Sequence, residues 1–332
     1  MSYQEDVRRE AAKLLDEKTV DLFIGYSDSD LPLKTAAHVI RSSVDADQLV
    51  WNPACTANLA ALLPDLLKRP EGFRGAWEPP KVGILAKGCV SRSIVGLIKA
   101  NQIPRDALTI VGIACDGMVS RHWVVDQLGT AELVDATIDA GKVSVRASDG
   151  TEKTFDLEEA LAPNCRICKH RAAVIHDVAI GEAAETDIDE AARYESVRAF
   201  AEKALDDRWA AFEEEISRCI RCYACREACP NCYCNECFAD ETEPKWIGVT
   251  TDLSDLMLFH LGRAFHQAGR CVDCGACVAA CPQAIDLRLL NQKINHDVQT
   301  LYGGEVSVSL DEPEPLLQFR MEDDEGFMTD PG

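Results

Sequence analysis

Two cysteine runs constrain this chain more than any other feature. The first is Cys219-x2-Cys222-x2-Cys225-x3-Cys229-Pro230; the second, beginning 42 residues after Cys229, is Cys271-x2-Cys274-x2-Cys277-x3-Cys281-Pro282. A tight turn with two x2 spacers presents three thiolates to three corners of a 4Fe–4S cubane. The Cys-Pro step then turns the chain so that the fourth thiolate faces a neighbouring cluster. This crossing rule gives Cys219, Cys222, Cys225 and Cys281 one cluster, and Cys271, Cys274, Cys277 and Cys229 the other. The competing assignment is a pair of zinc sites of the CxxC…CxxC kind. Two complete runs, each closed by Cys-Pro, favour iron and sulfide. Such a chain carries electrons.

The remaining composition narrows the setting. A length of 332 residues favours about two domains, each with its own core. Sixteen cysteines in a chain this long, clustered by cofactor spacing, point to a reducing cytoplasm and away from a disulfide scaffold. Arg8-Arg9 precedes charged, helical residues and not an apolar stretch, so no twin-arginine export signal is expected. No run approaches 18 apolar residues, so no transmembrane segment is expected. With 34 basic and 56 acidic residues the net charge is −22, which argues against nucleic acid and anionic membranes as partners.

Along the chain, residues 1–18 read as an amphipathic helix with Val7, Ala11, Leu14 and Leu15 on one side. Val20–Tyr26 and Gln48–Trp51 are strand candidates, and a helix is expected over Asn58–Lys68. Two βα-like units follow: strand Lys81–Ala86 with helix Ser91–Ala100, then strand Leu108–Ala114. They end at Cys89 and Cys115, where α/β sheets place ligands. Asp149-Gly150 marks a hairpin within Lys142–Leu157. Ala172–Ile180 reads as a strand, and one long helix over 188–217 as a connector, with Val197, Ala201, Leu205, Trp209, Phe212 and Ile216 on one side. A helix is expected near Leu253–Ala268, and a closing helix with Leu287, Leu290, Ile294, Val298 and Leu301 in phase. From Asp311 the chain has eight acidic residues against one Arg, the pattern of a mobile tail or one that wraps a partner.

Eight cysteines lie outside the two runs. Cys165-x2-Cys168 can bind one centre, while Cys89 and Cys115 are open to a second reading as small buried hydrophobes. Cys232, Cys234 and Cys237 sit too close together to leave unligated; with Cys55 as the one cysteine left over, they make a 4Fe–4S or a zinc site. No G-x-G-x-x-G and no Walker A motif occurs. Ser91, Arg92 and Ser93 at a helix start, with Lys87 before them, are candidates for a flavin phosphate; a capped structural helix with a surface Arg is the competing and stronger reading. The seven histidines show no metal spacing and read as structural.

The order Lys87-Gly88-Cys89, Gly112-Ile113-Ala114-Cys115-Asp116-Gly117, Cys165-x2-Cys168 with Asp177 and Gly181, then two cysteine runs, resembles the beta subunits of deazaflavin-reducing hydrogenase and formate dehydrogenase. Cys219–Cys237 (CIRCYACREACPNCYCNEC) is similar to the ferredoxin part of the formate dehydrogenase branch, and the likeness spans about residues 20–300. The resemblance implies a 4Fe–4S cluster on Cys89, Cys115, Cys165 and Cys168, and FAD; with sixteen cysteines, at least two clusters are expected and three to four can be held. It also implies an α/β (or α+β) flavin and cluster domain followed by a bacterial-type di-cluster ferredoxin-like domain. The expected boundaries are 1–187 for the first, 188–217 for the connector, 218–302 for the ferredoxin-like domain and 303–332 for the acidic tail. The implied function is electron transfer within a soluble complex, beside a molybdenum or tungsten formate dehydrogenase or hydrogenase subunit. A flavin-free wire docking on a heterodisulfide-reductase-like flavoprotein, and a stand-alone flavin diaphorase, are the alternatives.

Overall fold

The computed structural model describes residues 3–183, 186–317 and 320–321. A mixed five-stranded sheet anchors the first half. Helix α1 (Tyr3–Asp16) buries Val7, Ala11 and Leu14, and leads into β1 (Leu22–Asp28) and β2 (Thr35–Ile40), an antiparallel pair. A short α2 (Leu63–Leu67) precedes β3 (Val82–Ala86), all of whose residues are buried, as a strand covered on both faces requires. Then come α3 (Gly88–Lys99) and β4 (Leu108–Ile113). Strand order is β2-β1-β3-β4-β8, with β8 (Val178–Ile180) at the edge and every pairing except β1–β2 parallel.

A second, antiparallel sheet is inserted between β4 and β8. After α4 (Arg121–Leu128), strands β5 (Leu133–Asp139), β6 (Lys142–Ala147) and β7 (Glu152–Asp156) pair in sequence around their own small core of Val124, Leu133, Val143 and Val145. The Asp149-Gly150 hairpin is where the sequence predicts it. Short α5 (Leu157–Ala160) and α6 (Pro163–Arg166) return the chain to the main sheet.

Several expectations are corrected. Gln48–Trp51 is no strand: a 3-10 turn covers Ser43–Gln48, and the partner of β1 is β2, whose residues the apolar pattern passed over. The strand expected over Ala172–Ile180 is only the three residues of β8. The connector is not one helix but three, α7 (Glu190–Arg193), α8 (Glu195–Ala201) and α9 (Leu205–Ser217), because Ala204 is extended (φ −58°, ψ 153°). Its apolar stripe is split as well: Val197 and Ile216 are buried, whereas Leu205 and Trp209 are exposed.

The final described part contains helices and turns. Short α10 (Ala224–Glu227) and α12 (Ala276–Ala280) each follow the opening of a cysteine run and pack on each other; α11 (Leu253–His266) and α13 (Arg288–Tyr302) flank them. Residues 305–317 are no loose tail. Arg92 donates to the Val306 carbonyl (2.6 Å), Lys99 to Ser309 O (2.9 Å), and the buried Glu314 takes Lys99 Nζ (3.1 Å) and Ser307 Oγ (2.9 Å). The acidic residues from Glu322 onward lie outside the described residues. No helix among the described residues is long and apolar enough to cross a membrane.

Candidate metal centres

The carboxyl ends of β3 and β4 carry the first centre. Cys89 opens α3 just past β3, Cys115 lies two residues past β4, and Cys165 and Cys168 come from α6 and the turn after it. All four line one pocket, with Lys87, Gly88 and Arg92. The loop at His170 is pressed onto Gly88 so closely that a Cβ there would lie 1.8 Å from the His170 carbonyl oxygen. Burial pushes all four thiols up, Cys165 to about 12 and Cys89 well above its usual range. Buried thiols facing one another stay protonated in the protein alone, because ionising them all would gather negative charge in poorly solvated space. A cationic iron core removes that cost and displaces the protons, so this donor set fits a cluster.

The same pocket is closed on one side by Val272, Asp273 and Cys274 of the second run. Cys89 and Cys274 are close enough to interact electrostatically, and Gly275 approaches Asn164, beside Cys165, so nearly that a Cβ would meet Asn164 Oδ1 at 2.5 Å. The first centre and the second run therefore share a wall.

Within the runs, cysteines of both halves lie near one another, with Cys232 also beside Cys229 and Cys225. Cys219 interacts with Cys281 and Cys222, and Cys225 with Cys219 and Cys281. Cys271 interacts with Cys274 and Cys277, and Cys229, from the other run, with Cys277. Cys277 interacts in turn with Cys225, so the two sets adjoin. Burial pushes Cys277 to about 12 and Cys225 to about 11. Among the described residues no group of three or more His, Cys, Asp or Glu side chains is arranged to hold a metal ion.

Two helices supply residues that the sequence pattern did not single out. On α11, His260, Arg263 and Gln267 (just past its end) are buried at spacings of three and four. Arg263 donates to Cys225 O (2.9 Å) and places its charge beside Cys229, Cys277, Cys232 and Cys225. Gln267 receives a hydrogen bond from Cys229 Sγ (3.6 Å) and donates to Cys232 Sγ (3.7 Å). On α13 and at its N-cap, Val298 and Leu287 of the predicted apolar row are buried, but most of the buried face is polar: Arg288 grips Asp273 through Nε (2.6 Å) and Nη2 (2.9 Å), Gln292 donates to Asp273 (2.9 Å), and Asn295 to Cys271 O (2.5 Å). Leu301 is exposed. Asp273 has a φ of +54°, so this clamp holds a loop residue in a conformation that most side chains avoid.

The structure does not bring Cys55 to Cys232, Cys234 and Cys237. Cys55 is fully buried in the core of the main sheet, its thiol directed to Val50 O (3.9 Å) and its electrostatic neighbours Lys87 and Cys115. Cys232 lies instead beside Cys229 and Arg263, Cys237 beside Arg226, and Cys234 is exposed. The flavin-phosphate candidates are engaged within the fold, although Lys87 and Arg92 also line the pocket of the first centre. Lys87 donates to Cys55 O and lies over the Tyr26 ring (5.3 Å). Ser91 donates to Gly88 O (2.9 Å), Ser93 to Cys89 O (3.0 Å), and Arg92 is taken by Val306 O and Glu305 (3.4 Å). These four residues do not fit a flavin phosphate.

Residues 80–215 match the family defined by the C terminus of the coenzyme F420 hydrogenase/dehydrogenase beta subunit; this stretch contains Cys89, Cys115, Cys165 and Cys168. The F420-dependent formate dehydrogenase subunit beta of Methanocaldococcus jannaschii is 24% identical over 277 residues, covering 67% of this chain and 73% of the relative. The F420-dependent formate dehydrogenase 1 subunit beta of Methanococcus maripaludis is 25% identical over 218 residues, with 48% and 56% covered. A chain of the F420-reducing [NiFe] hydrogenase complex from Methanosarcina barkeri overlaps 64% of this chain and 89% of its own length, with 16% identity and a TM-score of 0.37. Residues 80–215 are thus similar to the beta subunits of coenzyme F420 hydrogenases and dehydrogenases, and both relatives are named as subunits of F420-dependent formate dehydrogenases.

Proposed function

We propose that this chain is the electron-transfer subunit of an F420-linked formate dehydrogenase or hydrogenase. It would pass electrons between a catalytic partner, which oxidises a two-electron donor such as formate, and an acceptor on the other side. The relatives' names support the donor and acceptor classes. The wall shared by Cys89, Cys274 and the Asn164–Gly275 contact is the observation that carries the proposal. It supports a continuous order of sites: Cys89, Cys115, Cys165 and Cys168, then the Cys271 set, then the Cys219 set. When bound, 4Fe–4S clusters supply one-electron transfer at potentials set by hydrogen bonds and exposure. The protein's own part is to hold the thiolates in order, bury them from water and set the charge around them, with Arg263 between the two ferredoxin-type sets. Lys87, Ser91, Arg92 and Ser93 are engaged within the fold, so no step is assigned to a flavin.

An anaerobic count of iron, sulfide and zinc tests this assignment. Three clusters give about twelve irons per chain. Cys89→Ser is expected to lose about four of them while leaving the other eight; an unchanged count would make Cys89 a buried small hydrophobe. Cys281→Ser is expected to disturb the cluster of Cys219, Cys222 and Cys225, and an identical iron content and EPR spectrum would refute the crossed ligation.

A further inference from the structure

His260 on α11 is buried, with 3% exposure, and its Nε2 lies 3.3 Å from Cys219 Sγ. Its other nitrogen, Nδ1, is also buried and has no hydrogen-bond partner among the described residues. Leaving a buried nitrogen unpaired is unfavourable, and an apolar side chain would pack beside Phe259 without it. The ring's polar contact is therefore the one to the sulfur. With Nδ1 unpaired, the tautomer that satisfies the site carries its proton on Nε2 and donates it to Cys219. The Arg221 backbone N–H already points at the same sulfur (3.3 Å).

We propose that His260 is a positioning residue for electron transfer: its Nε2–H donates to the Cys219 sulfur and raises the reduction potential of the cluster held by Cys219, Cys222, Cys225 and Cys281. An N–H aimed at a ligating sulfur stabilises the negative charge added on reduction, and hydrogen bonds to sulfur are among the determinants of cluster potential. No corresponding histidine contact is made to the Cys271 set among the described residues, so the bond separates the two sets energetically and favours the electron resting on the outer one, where Cys222 is exposed. This rests on the iron–sulfur assignment proposed above.

The test is an EPR-monitored redox titration of the full chain with its clusters, the relevant signal being the one altered in Cys281→Ser. In His260→Leu the midpoint of that signal is expected to fall while the others stay in place. His260→Gln, which returns an amide donor, is expected to recover part of the shift, and His266→Gln, an exposed histidine on the same helix, to change nothing. If His260→Leu does not retain its irons, His260→Asn carries the same expectation with a shorter side chain. Full iron content with an unmoved midpoint overturns the role of His260 alone, as does an equal shift of every signal. Wild-type protein without iron on the Cys219 set instead overturns the reading on which it rests.

Discussion

Arg288→Met is expected to destabilise the C-terminal part by about 3–5 kcal/mol, the usual consequence of removing one partner from a buried ion pair. Arg288 and Asp273 expose 7% and 12% of their side chains, and the guanidinium meets the carboxylate through two hydrogen bonds. Without it Asp273 keeps Gln292 as its side-chain hydrogen-bond donor among the described residues, in a loop whose cysteines flank it on both sides. The charge is then uncompensated beside Cys271 and Cys274. The expected result is a lower denaturation midpoint together with loss of iron from the Cys271 set. Arg288→Met with Asp273→Asn should recover much of the stability, because the double variant no longer buries a lone charge. An unaltered midpoint in Arg288→Met would mean that α13 is held by its apolar contacts alone.

This clamp was not legible in the sequence, and the reason is physical. Leu287, Leu290, Ile294, Val298 and Leu301 are in helical phase, and apolar phase is the strongest periodic signal a helix gives. Yet the surface α13 must cover is a cysteine loop full of backbone polar groups, so Arg288, Asn291, Gln292 and Asn295 turn inward together with Val298. The same blindness hid His260, Arg263 and Gln267, which face thiols rather than a hydrocarbon core. The candidate ligands of the two runs stand out in the sequence because cluster geometry demands their spacing, and Cys89 and Cys115 because both follow short apolar strands of a parallel sheet. The break at Ala204 had no local mark, neither Gly nor Pro. It follows from α8 packing on α13, where Tyr194 bonds Gln299 (3.0 Å), while α9 packs on α11. One straight helix cannot serve both surfaces. Cys55 illustrates the opposite failure: elimination by counting placed it with Cys232, whereas the β1 core keeps it for itself.

Gly88→Ala is expected to be the most damaging single change in the N-terminal half. The added methyl would stand 1.8 Å from the His170 carbonyl oxygen and 2.8 Å from that of Ala172. Both obstacles are backbone, so no rotamer change relieves them, and the cost falls at or above the roughly 1–3 kcal/mol typical of overpacking. The loop cannot retreat quietly either. Cys168 Sγ is directed to His170 O (3.5 Å), and the Cys115 N–H donates to Arg171 O (3.0 Å), so a shift of residues 170–172 moves two of the four thiols. Gly88 at the start of α3 thus holds the pocket's geometry through contact and not through conformational freedom. Anaerobic purification of Gly88→Ala should give protein short of about four irons, with the signals of the Cys219 and Cys271 sets retained. Loss of every cluster would point to collapse of the whole chain. A full iron count would show that the His170 loop can move aside without disturbing its cysteines.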